Sequence, residues 1–454
     1  MSAASTAALL VASAQAPLGS TLIAVALPSI GLGISTDLVL ITGLLVTGYL
    51  VVNVVCQGPA GKISDLVGHS RVLWAGIGLY VIGSACGLIA QGVTLLFISR
   101  CLMAAAGALV VPATLALLRL HVPAERRGRI FGLYGATMGI AAAGGPALGG
   151  ELVSLFGWRA VFLANLPFLA LSSLLLYAFP LPPRKTHPQR TLKDLTGSLD
   201  FLGIGLLALS LTFLIVASKM AGMAFGALLL ASAVAGAGFV FWEARAKAPI
   251  FDPHLFSLPA FTAGTLMIAL QNFAMYGLLF QLPQFFSVFR GTEPREIGYM
   301  LFVMMVGMVV AAPLGGQLTD RIGARRAALI GALLLLVGVA QLWRLNGFET
   351  PGDAIAALVV FGLGLGFCNA PAQAASMGAV EPGQAGMAAG VSSTMRYLGA
   401  IFSILVLGAV LGNDDTVSVA RHDIMIRLFT VAVFLSALLS RNLPDAAKPA
   451  AQSD

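Results

Sequence analysis

Two stretches of the sequence, GKISDLVGHSR at residues 61–71 and GQLTDRIGARR at residues 316–326, carry the same polar pattern. Each contains Gly, a branched aliphatic residue, a hydroxyl residue, Asp, a second Gly and a final Arg at identical offsets. Because a pattern of this length recurs in a chain that is otherwise very apolar, it predicts two halves built on one plan.

Composition places the chain in a membrane. Its 454 residues are 58% hydrophobic and only 10% charged, with a mean hydropathy of +0.93. A soluble domain has about 25% charged residues, so a soluble fold could not cover its surface with this sequence. Apolar runs of about 20 residues instead fit a hydrocarbon core roughly 30 Å thick. Lipid-facing backbone must satisfy its own hydrogen bonds, and the runs are therefore predicted to be helices.

Fourteen such runs predict an all-α polytopic membrane protein with fourteen transmembrane helices. We expect the first run to be a retained span, because the Ala-Gln-Ala that follows Ser13 resembles a signal-cleavage site without the basic segment that should precede it. The runs lie near 7–30, 38–59, 72–91, 94–118, 129–154, 159–180, 201–218, 223–242, 260–286, 297–318, 327–343, 354–375, 385–412 and 425–440.

Two long polar breaks divide the chain, one at 182–200 and one at 242–259. They predict an N-terminal six-helix bundle at 1–181, a loop with a two-helix insert at 182–258, a C-terminal six-helix bundle at 259–442 and a tail at 443–454. The two polar phrases follow the second and tenth runs, so an even number of crossings puts them on the same face. This arrangement is typical of parallel repeats.

Basic residues predict the orientation. With a cytoplasmic N-terminus, seventeen Lys and Arg fall on the inner side and seven on the outer side. We therefore expect a plasma-membrane protein, in a bacterial inner membrane, with both termini cytoplasmic. The net charge of +7 then reflects cytoplasmic loops, and no nucleic-acid partner is expected. The four cysteines form no CxxC pair, so neither a metal site nor a cofactor is predicted, and we expect a monomer.

The repeated phrase has two interpretations. It is either a charged turn that sets topology, or a conformational latch that holds one state and breaks in another, which its symmetric placement favours. Its glycines permit tight turns, and Asp65 and Asp320 could cap the following helix or pair with a nearby Arg. The predicted latch comprises Gly61, Asp65, Gly68, Arg71, Gly316, Asp320, Gly323 and Arg326.

Several further stretches carry a family resemblance. Besides the two repeated phrases, these stretches are Arg100 with the CLMAAAGALVVPATLAL that follows it, GGPALGG at 144–150, FGWRAVFLANLP at 156–167 and STMRYLGA at 393–400. Together with LDFLG at 199–203, they resemble the fourteen-helix drug:proton antiporter branch of the major facilitator superfamily. The resemblance implies a multidrug exporter-like transporter rather than an enzyme. It also implies an antiporter-motif hinge at Gly145, Pro146, Gly149 and Gly150.

One departure from the family pattern bears on proton coupling. The family's first-helix Asp is replaced by Gly19, in LGSTLIAVALP at 18–28. Glu151 is the one acidic residue inside a predicted span, which makes it the proton-coupling candidate. The alternative for Glu151 is an interfacial carboxylate that faces water.

Polar residues within the spans predict a substrate cavity. A charge at the bilayer centre costs several kcal/mol unless it lines water or finds a partner, so Arg100 and Arg396 either line a cavity or bind helix carbonyls. Tyr49, Asn53 and Gln57 recur every fourth residue, as interhelical contacts or a pathway. The predicted cavity comprises Arg100, Arg396, Tyr49, Asn53, Gln57, Gln271, Asn272, Tyr276, Asn369 and Gln373.

We therefore expect a secondary active transporter that couples protons to the export of small organic solutes or drugs by alternating access. A cavity with two arginines and no central carboxylate favours anionic, zwitterionic or neutral substrates. Expected partners are the solute, protons and the lipid bilayer. A lipid or fatty-acid exporter and a facilitated uniporter or importer remain alternatives, with a transport-dead receptor or scaffold as a more remote one. No HExxH, GxSxG or Walker motif favours an enzyme.

Overall fold

The computed structural model describes residues 2–36, 41, 43–181, 200–217, 220, 222–246, 249–411 and 419–445. In these residues the fold is all-α, as predicted, and thirteen helical segments are long and apolar enough to cross a membrane. A further apolar helix, Phe201–Ala217, is shorter. The helices are α1 Ala3–Gly33, α2 Tyr49–Val67, α3 His69–Leu88, α4 Val93–His121, α5 Arg127–Phe156, α6 Leu166–Ala178, α7 Phe201–Ala217, α8 Gly222–Glu243, α9 Pro259–Arg290, α10 Pro294–Ile322, α11 Ala324–Gln341, α12 Pro351–Gly378, α13 Ala385–Leu411 and α14 Val419–Leu439.

Local chemistry explains several helix boundaries. α9, α10 and α12 each begin with proline, whose fixed φ and missing N–H suit the first helical position. Thr350 and Asp353 form a reciprocal capping box at the start of α12. Gly291 ends α9 in the left-handed conformation, with φ of 60°.

The repeated phrase lies mainly in helix, which corrects the predicted ends of two spans. The second and tenth runs were predicted to end at residues 59 and 318, but α2 continues to Val67 and α10 to Ile322. The apolar run ends at the first polar residues, whereas the helical hydrogen bonds continue beyond them. The turns come only at Gly68 and Gly323, with φ of 107° and 88°, a region that favours glycine.

The helices form two cores. Buried side chains mainly of α1–α6 build one apolar cluster, which also includes residues of α13 such as Val391, and those of α9–α14 build a second. The halves meet where α2 crosses α13 and α5 crosses α10. The domain boundaries drawn from the sequence remain predictions, and 182–199 and 446–454 lie outside the described residues.

Glycine pairs permit both crossings between the halves. A Cβ on Gly61 would collide with the carbonyl of Gly386, and one on Gly128 would collide with the carbonyl of Gly316. The reciprocal additions, on Gly386 and Gly316, meet the carbonyls of Gly61 and Gly128. The second pair thus repeats, in α5 and α10, the close backbone approach that the first makes in α2 and α13.

The two-helix insert packs on the outside of the bundles. Ser210 Oγ donates to the Ser232 carbonyl at 3.0 Å, and Ser232 Oγ donates to the Ser210 carbonyl at 2.9 Å, which joins α7 to α8. Apolar residues of α7 then pack against α2 and α13. The insert therefore lies beside one of the two crossings between the halves.

Candidate functional site

The aspartates of the repeated phrase cap helices of the opposite half. Asp65 in α2 accepts hydrogen bonds from the backbone N–H groups of Gly386 and Met387, at 2.7 Å each. This corrects the sequence-based expectation, which assigned each aspartate to the following helix or to an arginine. The sequence alone does not reveal this partner, because the helix that Asp65 caps begins more than three hundred residues further along the chain.

The second phrase repeats this contact. Asp320 in α10 accepts hydrogen bonds from the backbone N–H groups of Gly128 at 2.8 Å and Arg129 at 2.9 Å, in the first turn of α5. The first N–H groups of a helix lack intrahelical partners and carry partial positive charge, so a carboxylate stabilises them. Each half therefore contributes one carboxylate and one helix N-terminus to the same face.

The arginines of the predicted latch do not join these contacts. Arg71 and Arg326 are exposed, and neither has a hydrogen bond or ion pair with a described residue. Both lie in the first turn of the helix that follows, α3 after Gly68 and α11 after Gly323. Their part in the latch stays a prediction. Arg119 at the end of α4 makes a further contact between the halves, donating to the carbonyls of Met377 and Val380, the latter at 2.7 Å.

The segment that leaves the insert contacts both halves near the first cap. Lys62 Nζ donates to the Pro249 carbonyl at 2.8 Å, and Phe251 packs in the space above Gly58. From the C-terminal half, Gln384 Nε2 donates to Asp252 at 3.1 Å. We call residues 249–252 the exit segment.

Arg100 is buried inside the N-terminal half, with 1% of its surface exposed. Its guanidinium donates to the carbonyls of Leu45 and Gly19, at 3.1 Å each, and lies 4.1 Å from the centre of the Tyr49 ring. Of the two alternatives left by the sequence, this is the pairing with helix carbonyls. Its Nη2 atom has no hydrogen-bond partner among the described residues.

Gly19 leaves room for a neighbouring pair of polar side chains. A Cβ at Gly19 would lie 2.7 Å from the Tyr80 hydroxyl and 3.1 Å from Asn165 Nδ2. Asn165 donates to Tyr80, and both side chains are buried. The volume beside residue 19 is thus already filled by a neutral polar pair. The sequence analysis missed Tyr80 and Asn165, since neither is charged and no spacing pattern links them.

The polar stripe of α2 serves as interhelical contact in this structure. Asn53 Nδ2 donates to the Ala104 carbonyl at 3.2 Å, and Gln57 Nε2 donates to Asn53 Oδ1 at 2.9 Å. The Tyr49 hydroxyl donates to the Ala16 carbonyl at 3.3 Å. All three side chains are buried, so they hold α2 against α1 and α4.

Arg396 occupies a different environment, between the halves. It is half-buried, and its Nη2 donates to Gln373 Oε1 at 3.1 Å. Tyr276 and Tyr397 from the C-terminal half, and Tyr134 from α5 of the N-terminal half, lie within electrostatic range of its guanidinium. The sequence analysis missed Tyr134 and Tyr397, although Tyr397 directly follows Arg396.

The remaining predicted cavity residues separate into two groups. Gln271 is buried and donates to Cys368 Sγ at 3.0 Å, and Asn272 donates to the Ile268 carbonyl at 2.8 Å, so both bond within the C-terminal half. Asn369 and Tyr276 are half-buried instead. Asn369 Oδ1 would lie 3.9 Å from a Cβ on Gly135 of α5, which places Asn369 between the halves.

Glu151 and the predicted hinge lie near the other end of α5. Glu151 is exposed, and α5 continues through its position as an unbroken helix. Gly145 and Gly149 pack against Thr21 and Leu22 of α1, while Gly150 is half-buried. The backbone of Pro146 belongs to α5, and its side chain lies outside the described part. The hinge and proton-coupling assignments stay predictions.

The electrostatics of the site are set by unpaired arginines. Neither Arg100 nor Arg396 forms an ion pair with a described residue. The same part of the chain holds no group of three or more His, Cys, Asp or Glu arranged to bind a metal ion. Arg396 therefore brings a positive charge without an ion-pair partner among the described residues next to the amide of Gln373.

Comparisons with known proteins agree with this architecture. The sequence profile of the Major Facilitator Superfamily matches residues 9–404. The chain is 30% identical over 429 residues to the uncharacterized MFS-type transporter YvkA of Bacillus subtilis, covering 94% of this chain and 92% of that one. It is 31% identical over 369 residues to the multidrug resistance protein Stp of Mycobacterium tuberculosis, covering 80% and 67%.

A solved structure supports the fold. The proton:xylose symporter XylE superposes with a TM-score of 0.69 at 15% sequence identity, covering 97% of this chain and 96% of that one. At this identity the likeness concerns the fold alone. The profile match across most of the chain and the 30% identity to YvkA show that this protein belongs to the Major Facilitator Superfamily and is a transporter.

Proposed function

We propose that the protein is a secondary active transporter that exports small organic solutes by alternating access. The observation that carries this proposal is the symmetric pair of caps, Asp65 on α13 and Asp320 on α5. Two halves joined on one face by matched, breakable contacts are what a rocking mechanism requires.

The free energy of the two caps is large enough to favour the closed conformation and small enough to be overcome. An anion at a helix N-terminus contributes roughly 0.3–2 kcal/mol. Two such pairs bias an equilibrium by a few kcal/mol, which differential binding of a solute can reverse. The glycine contacts at Gly61 and Gly128 add close packing that is lost when the halves separate.

The proposed orientation places the caps at the cytoplasmic face. Arg126, Arg127 and Arg325 lie at or next to helix starts on the capped face, in keeping with the excess of basic residues expected there. The conformation described here is then closed towards the cytoplasm. An exporter in this state has its binding site turned towards the outside.

The charges between the halves bear on the substrate. Arg396 is half-buried and pairs with no carboxylate in the described part of the chain, so anionic, zwitterionic or neutral solutes are favoured over lipophilic cations. Stp, a relative at 31% identity, is described as a multidrug resistance protein, which supports export of drug-like molecules.

Proton coupling is part of the proposal, with Glu151 as its candidate. No first-helix acid is present at Gly19, so coupling would use Glu151 or the ionisable group of the substrate itself. Glu151→Gln separates these routes. If Glu151 carries the proton, the variant loses the dependence of transport rate on an imposed pH step; an unchanged pH response eliminates Glu151.

The test is a counterflow screen with the purified protein in liposomes. Organic anions, neutral solutes and cationic dyes are each measured with and without a pH gradient. Gradient-driven movement of anions or neutral solutes supports the proposal, and strong dye transport contradicts the charge preference. Movement of acyl chains alone favours the lipid exporter, downhill flux insensitive to pH favours the uniporter, and no flux of any solute favours the scaffold.

A further inference from the structure

Gln373 leaves an unused hydrogen-bond donor beside Arg396. Its Oε1 accepts from Arg396 Nη2 at 3.1 Å, while its Nε2 has no partner among the described residues. The side chain is 1% exposed, so this donor is desolvated. Because Oε1 and Nε2 share one carbon, the free N–H group lies next to the guanidinium. An unpaired buried amide costs about 1–3 kcal/mol, which an acceptor at this place would remove.

Arg396 has donors to spare. A guanidinium offers five N–H groups in a planar fork, and the bond to Gln373 is its one hydrogen bond with the described residues. No carboxylate of the described chain pairs with it. Arg396 is also half-buried rather than sealed, in contrast to Arg100. It therefore has both the geometry and the access to receive an external anion.

Three tyrosines lie within electrostatic range of Arg396. Tyr276 and Tyr397 come from the C-terminal half, and Tyr134 comes from the N-terminal half. Tyr276 and Tyr397 are half-buried, whereas Tyr134 is buried. Phenol rings bind flat aromatic surfaces by stacked or edge-to-face contact. A ligand held between them would contact both halves at once, as a transported solute must.

We propose that Arg396 and Gln373 bind the carboxylate of an aromatic organic acid, whose ring lies against Tyr134, Tyr276 and Tyr397. This inference rests on the proposed transport function and names the substrate class of that site. One carboxylate oxygen accepts hydrogen bonds from N–H groups of Arg396, and the other accepts a hydrogen bond from Nε2 of Gln373. A planar carboxylate suits a fork of this kind.

The charge count selects a monoanion. Arg396 supplies a single positive charge, and Arg100 already donates to two carbonyls inside the N-terminal half. A dianion, such as a phosphate monoester, would keep an unbalanced negative charge in a poorly solvated place. A neutral amide of the same shape would leave the guanidinium unpaired.

Four probes separate these contributions: 2-naphthoate, 2-naphthamide, cyclohexanecarboxylate and 2-naphthylmethylammonium. Binding to the full-length protein in lipid nanodiscs is measured by calorimetry and by tyrosine fluorescence. We expect 2-naphthoate to bind at least about tenfold more tightly than each of the others, since a hydrogen bond to a charged group and an aromatic contact each contribute at this scale. Equal binding of the naphthoate and the ammonium probe would overturn the proposal.

Variants then test the two donors. Gln373→Glu places a carboxylate against Arg396, so it should weaken 2-naphthoate binding by about tenfold or more while keeping the neutral amide's affinity. Arg396→Lys retains the positive charge but lacks the planar guanidinium, so it should also weaken 2-naphthoate binding. Arg344→Gln removes an exposed arginine distant from the site and serves as the control. Size-exclusion profiles confirm folding, and unchanged naphthoate binding in a folded Gln373→Glu protein would disprove the assignment.

These experiments distinguish failure of the carboxylate site from failure of the transport proposal. Counterflow of any solute in liposomes supports transport whichever probe is preferred. If solutes move but 2-naphthoate neither binds nor competes, the carboxylate site is wrong and transport stands. If 2-naphthoate binds with the expected variant pattern but nothing moves, the binding site is correct and the transport proposal fails.

Discussion

The carboxylate of Asp65 accepts a 2.7 Å hydrogen bond from the backbone N–H of Gly386, across the boundary between the two halves of the chain. Asp320 makes the corresponding contact with Gly128 at 2.8 Å. The aspartate of each repeated phrase thus caps a helix of the opposite half. This exchange of caps explains why one sequence pattern is present twice.

Neutralising a cap should open the capped face. Asp65→Asn and Asp320→Asn each keep an acceptor oxygen but remove the charge, which should shift the equilibrium by about 1 kcal/mol, or roughly fivefold. Spin labels at positions 70 and 381, which are exposed and lie one in each half, report the distance between the halves. We expect a larger population of long distances in both variants.

The control for the caps is Glu349→Gln, which removes an exposed carboxylate in the turn before α12. It should leave the label distances unchanged. Unchanged distances in both Asp variants would show that the caps do not hold the closed state.

A methyl group at a glycine crossing should have the same effect by steric means. In Gly61→Ala the new Cβ would meet the backbone of Gly386, and overpacking of this kind costs about 1–3 kcal/mol. Gly78→Ala is the matched control, because nothing lies within 4 Å of its Cβ. The same spin labels should show opening for Gly61→Ala only, and a response of Gly78→Ala would point to a general helix effect.

An acid at residue 19 should add a proton-binding group. In Gly19→Asp the new side chain would displace the buried Tyr80–Asn165 pair, on the residue whose carbonyl accepts a hydrogen bond from Arg100. We expect proton uptake that accompanies transport in liposomes, measured with a trapped pH-sensitive dye, to increase. Gly19→Asn has nearly the same shape and no ionisable group, so equal uptake by both variants would refute this expectation.

Loss of the buried guanidinium should destabilise the N-terminal half. Arg100→Ala leaves the carbonyls of Gly19 and Leu45 without their donors and removes the contact with the Tyr49 ring. Loss of such buried contacts costs about 2–5 kcal/mol. The thermal midpoint of the detergent-solubilised protein should fall by several degrees, and by less in Arg100→Lys. A midpoint equal to the wild type would mean that these bonds contribute little.

The exit segment should couple the insert to the first cap. Glu243 is 4% exposed and accepts hydrogen bonds from the Ile250 N–H at 3.0 and 3.2 Å. Glu243→Ala should release residues 249–252 and so weaken the contacts of Lys62 and Gln384. Hydrogen exchange should rise in the exit segment and at the start of α13. Glu243→Gln, which retains an acceptor, should show a smaller rise; identical exchange in all three proteins would refute the coupling.

Sequence reasoning succeeded where the signal was local. Apolar runs located the fourteen helical segments to within a few residues at most boundaries, because hydropathy depends on neighbours along the chain. It failed at the ends of α2 and α10, where polar residues remain helical because they face another helix. It also left Arg100 with two alternatives, since periodicity cannot say whether a buried charge meets water or a carbonyl.

The sequence by itself determined the membrane fold, the duplicated halves and the identity of the two aspartates that matter. Only the tertiary structure decided that each aspartate caps a helix of the other half and that Arg100 is buried against backbone carbonyls. It also decided that Arg396 is only half-buried, beside the Nε2 of Gln373, which has no partner among the described residues. The physical reason is separation along the chain. Hydropathy and helix formation act over one or two turns, whereas the partner of a charge is fixed by how distant helices pack.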